Sequence, residues 1–110
     1  MTFNDYQKAA LTTLKVHPDK IMNQTIMAMG VAGEAGEVVE KWKKIVAYKD
    51  AVISPEDRTE LAKELGDVIW YIAVLADSLG LPLDEVMQMN LDKLASRQQR
   101  NAIAGQGDNR

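Results

Sequence analysis

The sequence predicts an all-α fold of the four-helix-bundle type, and three observations carry that expectation. Apolar residues recur with a helical period along nearly the whole chain, the breaks between periodic segments are short, and no run alternates as a strand would. A length of 110 residues suits one domain with a single, marginal core, so association of copies is expected. Four helices with short connections then make a bundle.

The first helix is expected from a cap at Asn4 or Asp5 to about Val16, before the turn His17-Pro18-Asp19, because the residue preceding proline disfavours the helical region. A second helix follows from about Asn23 to Tyr48. It contains Gly30, Gly33 and Gly36, each about 1 kcal/mol worse than alanine in a helix. Glycines at that interval allow a close approach by another backbone or a ligand, or mark a kink. Ser54-Pro55-Glu56-Asp57 opens a third helix with a serine cap, proline in the first turn and acids near the N-terminal dipole. It should run to about Leu79 and stop at Gly80. Pro82, Asp84 and Glu85 begin a fourth, ending near Arg100. Residues 1–104 form the helical domain, and 105–110, "GQGDNR", read as a flexible tail that could close over a ligand.

Composition excludes several functions. The net charge is −3 with no basic run, which speaks against nucleic acid as a partner. Without cysteine there is no disulfide and no thiolate metal site. The longest apolar stretch, Val68 to Ala76, is too short to span a membrane, and the first ten residues do not resemble a signal peptide, so a cytoplasmic protein is expected.

Two acidic motifs stand inside the apolar pattern: Glu34-x-x-Glu37 and Glu64-x-x-Asp67. Residues three apart share a helix face, so each motif presents two carboxylates together, and two such helices face to face would collect four. Val31, Val38 and Ile45 lie on the stripe around Glu34, and Ile69, Tyr71 and Leu75 lie beside Glu64 and Asp67. Solvated surface charge is the ordinary fate of such residues. Carboxylates on apolar faces instead need a cation, and an all-oxygen set suits Mg²⁺ or Mn²⁺. The one histidine, His17, falls in a turn, so no glutamate has the histidine three residues on that a di-iron bundle uses. Glu40 and Glu60 are read as surface residues.

Asn90, Lys93 and Arg97 are spaced along one face of the fourth helix and carry the chemistries that grip phosphate oxygens. An ordinary exposed face is the alternative. Beside a carboxylate-held cation, however, they make a polyphosphate site. Trp42 and Trp70 serve either as core residues or as rings on which a nucleobase stacks. The methionines, concentrated at Met22, Met27, Met29, Met87 and Met89, read as adaptable core filler.

The run "GEAGEVVEKWKK", followed by "ELGDVIWYIAVLADSLGLPLDEVMQMNLDKLASR", resembles the MazG-like all-α nucleoside triphosphate pyrophosphohydrolases, whose pattern is E-E-x-x-E, a spacer, then E-x-x-D. The likeness extends over most of residues 25 to 100 and includes Tyr71 and "NLDKL". It implies a homodimer or homotetramer that converts a (deoxy)nucleoside triphosphate to the monophosphate and pyrophosphate with Mg²⁺. It also implies that Glu34, Glu37, Glu64 and Asp67 hold metal, with Glu34 orienting the attacking water. Asn90, Lys93 and Arg97 would contact phosphates, with Lys41 and Lys44 as weaker candidates, and Trp42, Trp70 and Tyr71 would border the substrate. Gly33 stands where the family commonly has the first of two adjacent glutamates. That departure keeps open a non-catalytic nucleotide sensor, and a helical regulatory dimer is the other alternative.

Overall fold

The computed structural model describes residues 1–101, 105, 107 and 108, and side-chain chemistry sets its helix ends. Thr2 caps α1 (Phe3–Leu11): its hydroxyl accepts from the Asp5 N–H and the Asp5 carboxylate accepts from the Thr2 N–H. This reciprocal box starts the helix ahead of the expected Asn4 or Asp5. The helix also stops at Leu11, short of Val16, where the Thr12 and Thr13 hydroxyls donate back to the carbonyls of Ala9 and Ala10. Such local bonds compete with helix continuation. Asp19 caps α2 (Lys20–Tyr48) by accepting from Met22 at 2.8 Å, which brings the start forward from Asn23. The helix runs unbroken through all three glycines.

Asp50 and Ala51 turn the chain after α2 with φ of 51° and 61°. Ser54 and Asp57 then form a second capping box at the head of α3 (Pro55–Ser78), as the sequence predicts. Gly80 takes a φ of 72° just past the helix, the left-handed conformation that glycine adopts at little cost. There the chain bends by 102° into α4 (Leu83–Gln99).

Helices α2 and α3 form an antiparallel hairpin. Lys49 pairs with Asp57 at one end, and Gln24 donates to the Ser78 carbonyl at the other. Helix α1 lies against α3 and the start of α4, enclosing a small core of Ala10, Met27, Ala73, Val74 and Leu83. Gln7, only 6% exposed, ties these helices together. Its amide donates to the carbonyls of Ala73 and Leu81, and its oxygen accepts from the Leu83 N–H, all at 3.0 Å. Asn4 and Asp84 exchange side-chain-to-backbone bonds beside it. Pro82 provides no side-chain cap for α4, so α1 supplies the acceptors that its first N–H groups require.

The four expected helices are present, and no strand occurs among the described residues. Their backbones do not close into one compact bundle, since no Cα of α2 lies within 8 Å of one in α4 among the described residues, and the two helices share the core only through side chains such as Met27 and Leu83. The radius of gyration is 16.9 Å, against roughly 13 Å for a compact domain of this length. Met27 is buried as expected, but Met22, Met29 and Met89 are exposed. No single helix among the described residues is long and apolar enough to cross a membrane.

Gln7→Met should cost about 1–3 kcal/mol in urea unfolding, because it leaves the buried Leu83 N–H without an acceptor. Unchanged stability would show that α4 is held by apolar packing alone. The Lys49 ammonium, with the N–H and hydroxyl of Ser54, lowers the Asp57 carboxyl from 3.8 to about 2. A lowered carboxylate stabilises the fold above its unfolded value and loses that contribution as pH falls through the folded one. Melting temperature should therefore drop between pH 3.8 and about 2, and Asp57→Asn should remove that part of the drop.

Candidate metal centre

The antiparallel register of α2 and α3 sets Glu34 opposite Glu64 and Asp67. One carboxylate oxygen from each lies within 4.8 Å of the other two. Glu34 and Glu64 are half-buried and Asp67 is exposed. Loss of solvent around Glu34 raises its carboxyl above the usual range, and the charges of Asp67, Glu64 and Glu37, in that order, raise it further. Unbalanced negative charge of this kind is what a bound cation relieves. The donors are all hard oxygens, and those around one Mg²⁺ stand roughly 3–4 Å apart, so small side-chain rotations fit the three to an ion.

Gly30 sets the distance between the helices. The Tyr71 ring lies against it so closely that a β-carbon there would clash with the ring atoms Cε1 and Cδ1. Tyr71 in turn takes the edge of Trp70 at 5.0 Å, and the Trp70 indole N–H donates to Thr13 Oγ1. Trp70 thus belongs to the packing between α1 and α3. A β-carbon at Gly33 or Gly36 would meet nothing within 4 Å.

Of the four carboxylates expected together, Glu37 stays outside the group. It stands about 60° around α2 from Glu34, on the exposed side. Lys41 reaches Glu60 at 3.7 Å and Glu64 at 3.9 Å. It therefore balances part of the cluster's charge from within the chain. Lys44 pairs with Glu40, which is a surface residue as expected, and Trp42 is half exposed. Asn90, Lys93 and Arg97 lie on α4, no Cα of which comes within 8 Å of one in α2 among the described residues, so the described chain does not bring them to the three carboxylates. Asn90 is exposed. Lys93 and Arg97 both bind Asp108. Asn109 and Arg110, also in the tail expected to close over a ligand, lie outside the described residues.

A feature missed in the sequence is a largely apolar cavity of about 310 Å³ lined by Phe3, Tyr6, Ile69 and Met87, with Gly66 in its wall. Burial raises the Tyr6 hydroxyl and the Asp67 charge raises it further, which sets this cavity beside the acidic group. Its walls come from three helices. The i, i+3 spacing of Phe3 and Tyr6, which sets both rings on one face of α1, is the local signal that points to it.

An all-α domain with a carboxylate group shared between two helices defines a class of helical proteins able to hold a hard cation. Within that class, the chain belongs to the MazG nucleotide pyrophosphohydrolase domain family, whose model matches residues 22–101. It is similar to the Gene 37 protein of Mycobacterium phage L5, with 48% identity over 110 residues covering 96% of each chain. It is also similar to protein YvdC of Bacillus subtilis (strain 168), with 48% identity over 42 residues, 38% of this chain and 40% of that protein. No solved structure matches the chain significantly.

Gly30→Ala should destabilise the protein by about 1–3 kcal/mol, because α2 must move away from Tyr71. Gly33→Ala should instead stabilise by up to about 1 kcal/mol, having open space and a better helix former. Equal effects in thermal unfolding would mean that Tyr71 does not set the helix separation.

Proposed function

We propose that the protein is a Mg²⁺-dependent nucleoside triphosphate pyrophosphohydrolase, Mn²⁺ being an alternative ion, that converts a (d)NTP to the monophosphate and pyrophosphate. The observation that carries this reading is the meeting of Glu34, Glu64 and Asp67 across α2 and α3 within the region matched by the family. These three hold the metal, with Glu37 the nearest further carboxylate. When bound, Mg²⁺ neutralises phosphate oxygens and raises the electrophilicity of the phosphorus.

Glu34 is the residue suited to the proton. One of its carboxylate oxygens meets those of Glu64 and Asp67, which leaves the second to take a proton from a water. It orients a water and accepts its proton at a carboxylate oxygen as the water attacks the α-phosphorus. The bond from that phosphorus to the bridging oxygen breaks, and pyrophosphate leaves. No covalent intermediate on the protein is needed, since a positioned water suffices for this displacement. Gly33, in place of a second glutamate, leaves that task to Glu34.

The cavity of Phe3, Tyr6, Ile69 and Met87 suits the nucleobase: it is apolar, adjoins Asp67 and has the size of a small-ligand pocket. This makes α1, rather than Trp42 or Trp70, the source of the stacking ring. Positive charge for the phosphates comes from Lys93 and Arg97, with Asn90 beside them. Because no Cα of α4 comes within 8 Å of one in α2 among the described residues, this role needs a homo-oligomer in which α4 approaches a second copy. Exposed Ile26 and Met29, on the side of α2 that also bears Gly33 and Gly36, support such association.

Asp67→Asn or Glu64→Gln should lower pyrophosphate release from a panel of NTPs and dNTPs with Mg²⁺ by at least about 100-fold. Each removes a like charge, so the melting temperature of the metal-free protein should hold or rise. Wild-type turnover in either variant would eliminate the metal centre. A wild-type protein that binds nucleotide but releases no pyrophosphate would be the non-catalytic sensor.

A further inference from the structure

The end of α4 carries a cation pair already occupied by the chain's own carboxylate. Asp108 Oδ1 accepts from Lys93 Nζ at 2.9 Å and from Arg97 Nη2 at 3.2 Å. The same Nη2 also donates to the carbonyls of Asp108 and Gly107, at 2.8 and 3.3 Å. Arg97 is only 4% exposed, whereas the Asp108 side chain is 80% exposed. The buried partner is therefore the cation, and its occupant is easily reached by solvent.

The fit between them is incomplete. A guanidinium offers five N–H donors in a fork that suits two oxygens at once. Here one nitrogen carries every bond to the tail, and the buried Nε has no acceptor. One carboxylate oxygen is shared between both cations. A role confined to closing the end of α4 would be met by the two backbone carbonyls. It would not require a lysine and the carboxylate as well, or leave a buried donor unsatisfied. Asn90 and Lys93 also line an open cavity of about 360 Å³ with Leu81, Val86 and Met89, which leaves room beside the lysine.

We propose that Asp108 is an internal competitor for the phosphate site assigned above to Lys93 and Arg97, displaced when a phosphate-type oxyanion binds there. A tetrahedral oxyanion presents more oxygens than Asp108 offers, so it can engage both cations and the spare donor together. The inference deepens the nucleotide reading of these residues and rests on it for the identity of the natural ligand. The site itself requires no metal.

Calorimetric titration of inorganic pyrophosphate into the full chain with EDTA tests the competition separately from hydrolysis. Asp108→Asn should bind about fivefold tighter than wild type, the scale of one partly exposed ion pair. Adding Lys93→Ala should abolish that gain. Asp92→Asn, which removes a charge next to Lys93 in sequence but from a carboxylate bonded to Gln88, should change affinity by less than about twofold. Equal tightening in Asp92→Asn and Asp108→Asn would reduce the effect to net charge and overturn the proposal. So would no tightening in Asp108→Asn, or binding indifferent to Lys93.

Two sources of the oxyanion separate in the same variant. A fall in KM for nucleoside triphosphate identifies the substrate's own phosphates, whereas an unchanged KM with tighter pyrophosphate binding identifies a free phosphate or pyrophosphate. Either supports the site. A wild-type protein without turnover would remove the enzyme reading and leave this test intact.

Discussion

The contact between Tyr71 and Gly30 governs what the rest of the structure can do. Helices normally lie apart by the size of the side chains at their crossing, and here one side of the crossing has no side chain. The ring fills the gap and fixes the antiparallel register. One turn along α2, that register brings Glu34 to Asp67 and Glu64, which lie one and two turns back along α3 from Tyr71. A hairpin held further apart would leave the same three carboxylates as separate surface charges. Trp70 and Thr13 extend the support to α1, so the geometry of the acidic group is coupled to a helix that contributes no carboxylate to it.

A second constraint is polar. Gln7 satisfies groups on both sides of the bend between α3 and α4, and with Asn4 it supplies acceptors that α4 lacks in its own sequence. Hydrogen bonds are directional where apolar contacts are not. A buried amide with its bonds met therefore specifies the angle at which α4 departs. That angle carries α4 away from α2 and leaves much apolar surface uncovered, including Leu91 and Leu94.

Local signals were legible in the sequence because their causes are local. The Ser54-Pro55 start, the Gly80 stop and the helical period each depend on residues within a turn or two. The acidic motifs were legible for the same reason, since a spacing of three sets two carboxylates on neighbouring points of a helix. What stayed hidden depends on partners far along the chain. Gln7 is an unremarkable polar residue until Ala73, Leu81 and Leu83 surround it. Lys41 reads as a candidate phosphate ligand until Glu60 and Glu64 are seen opposite it. Glu37 fell outside the group because the choice among carboxylates on one helix is made by the position of the other helix. The three glycines look alike in sequence, yet only Gly30 meets a ring.

The electrostatics of the two halves of the proposed site share one logic. Glu64 is partly balanced by Lys41, while Lys93 and Arg97 are balanced by Asp108. Neither half stands as bare charge, which limits the repulsion that like charges would otherwise impose on the fold. Neither internal partner is a good match. Lys41 is 3.9 Å from Glu64 and shared with Glu60, and Asp108 leaves a buried Arg97 donor unused. Weak internal pairs of this kind are easily exchanged for better ones. A cation alone improves only the acidic half, and an anion alone only the basic half. A metal-bound polyphosphate presents both at once, so on the proposed reading it gains from both exchanges where either component gains from one. Discrimination in favour of the complete ligand then follows from how the two halves are neutralised in its absence.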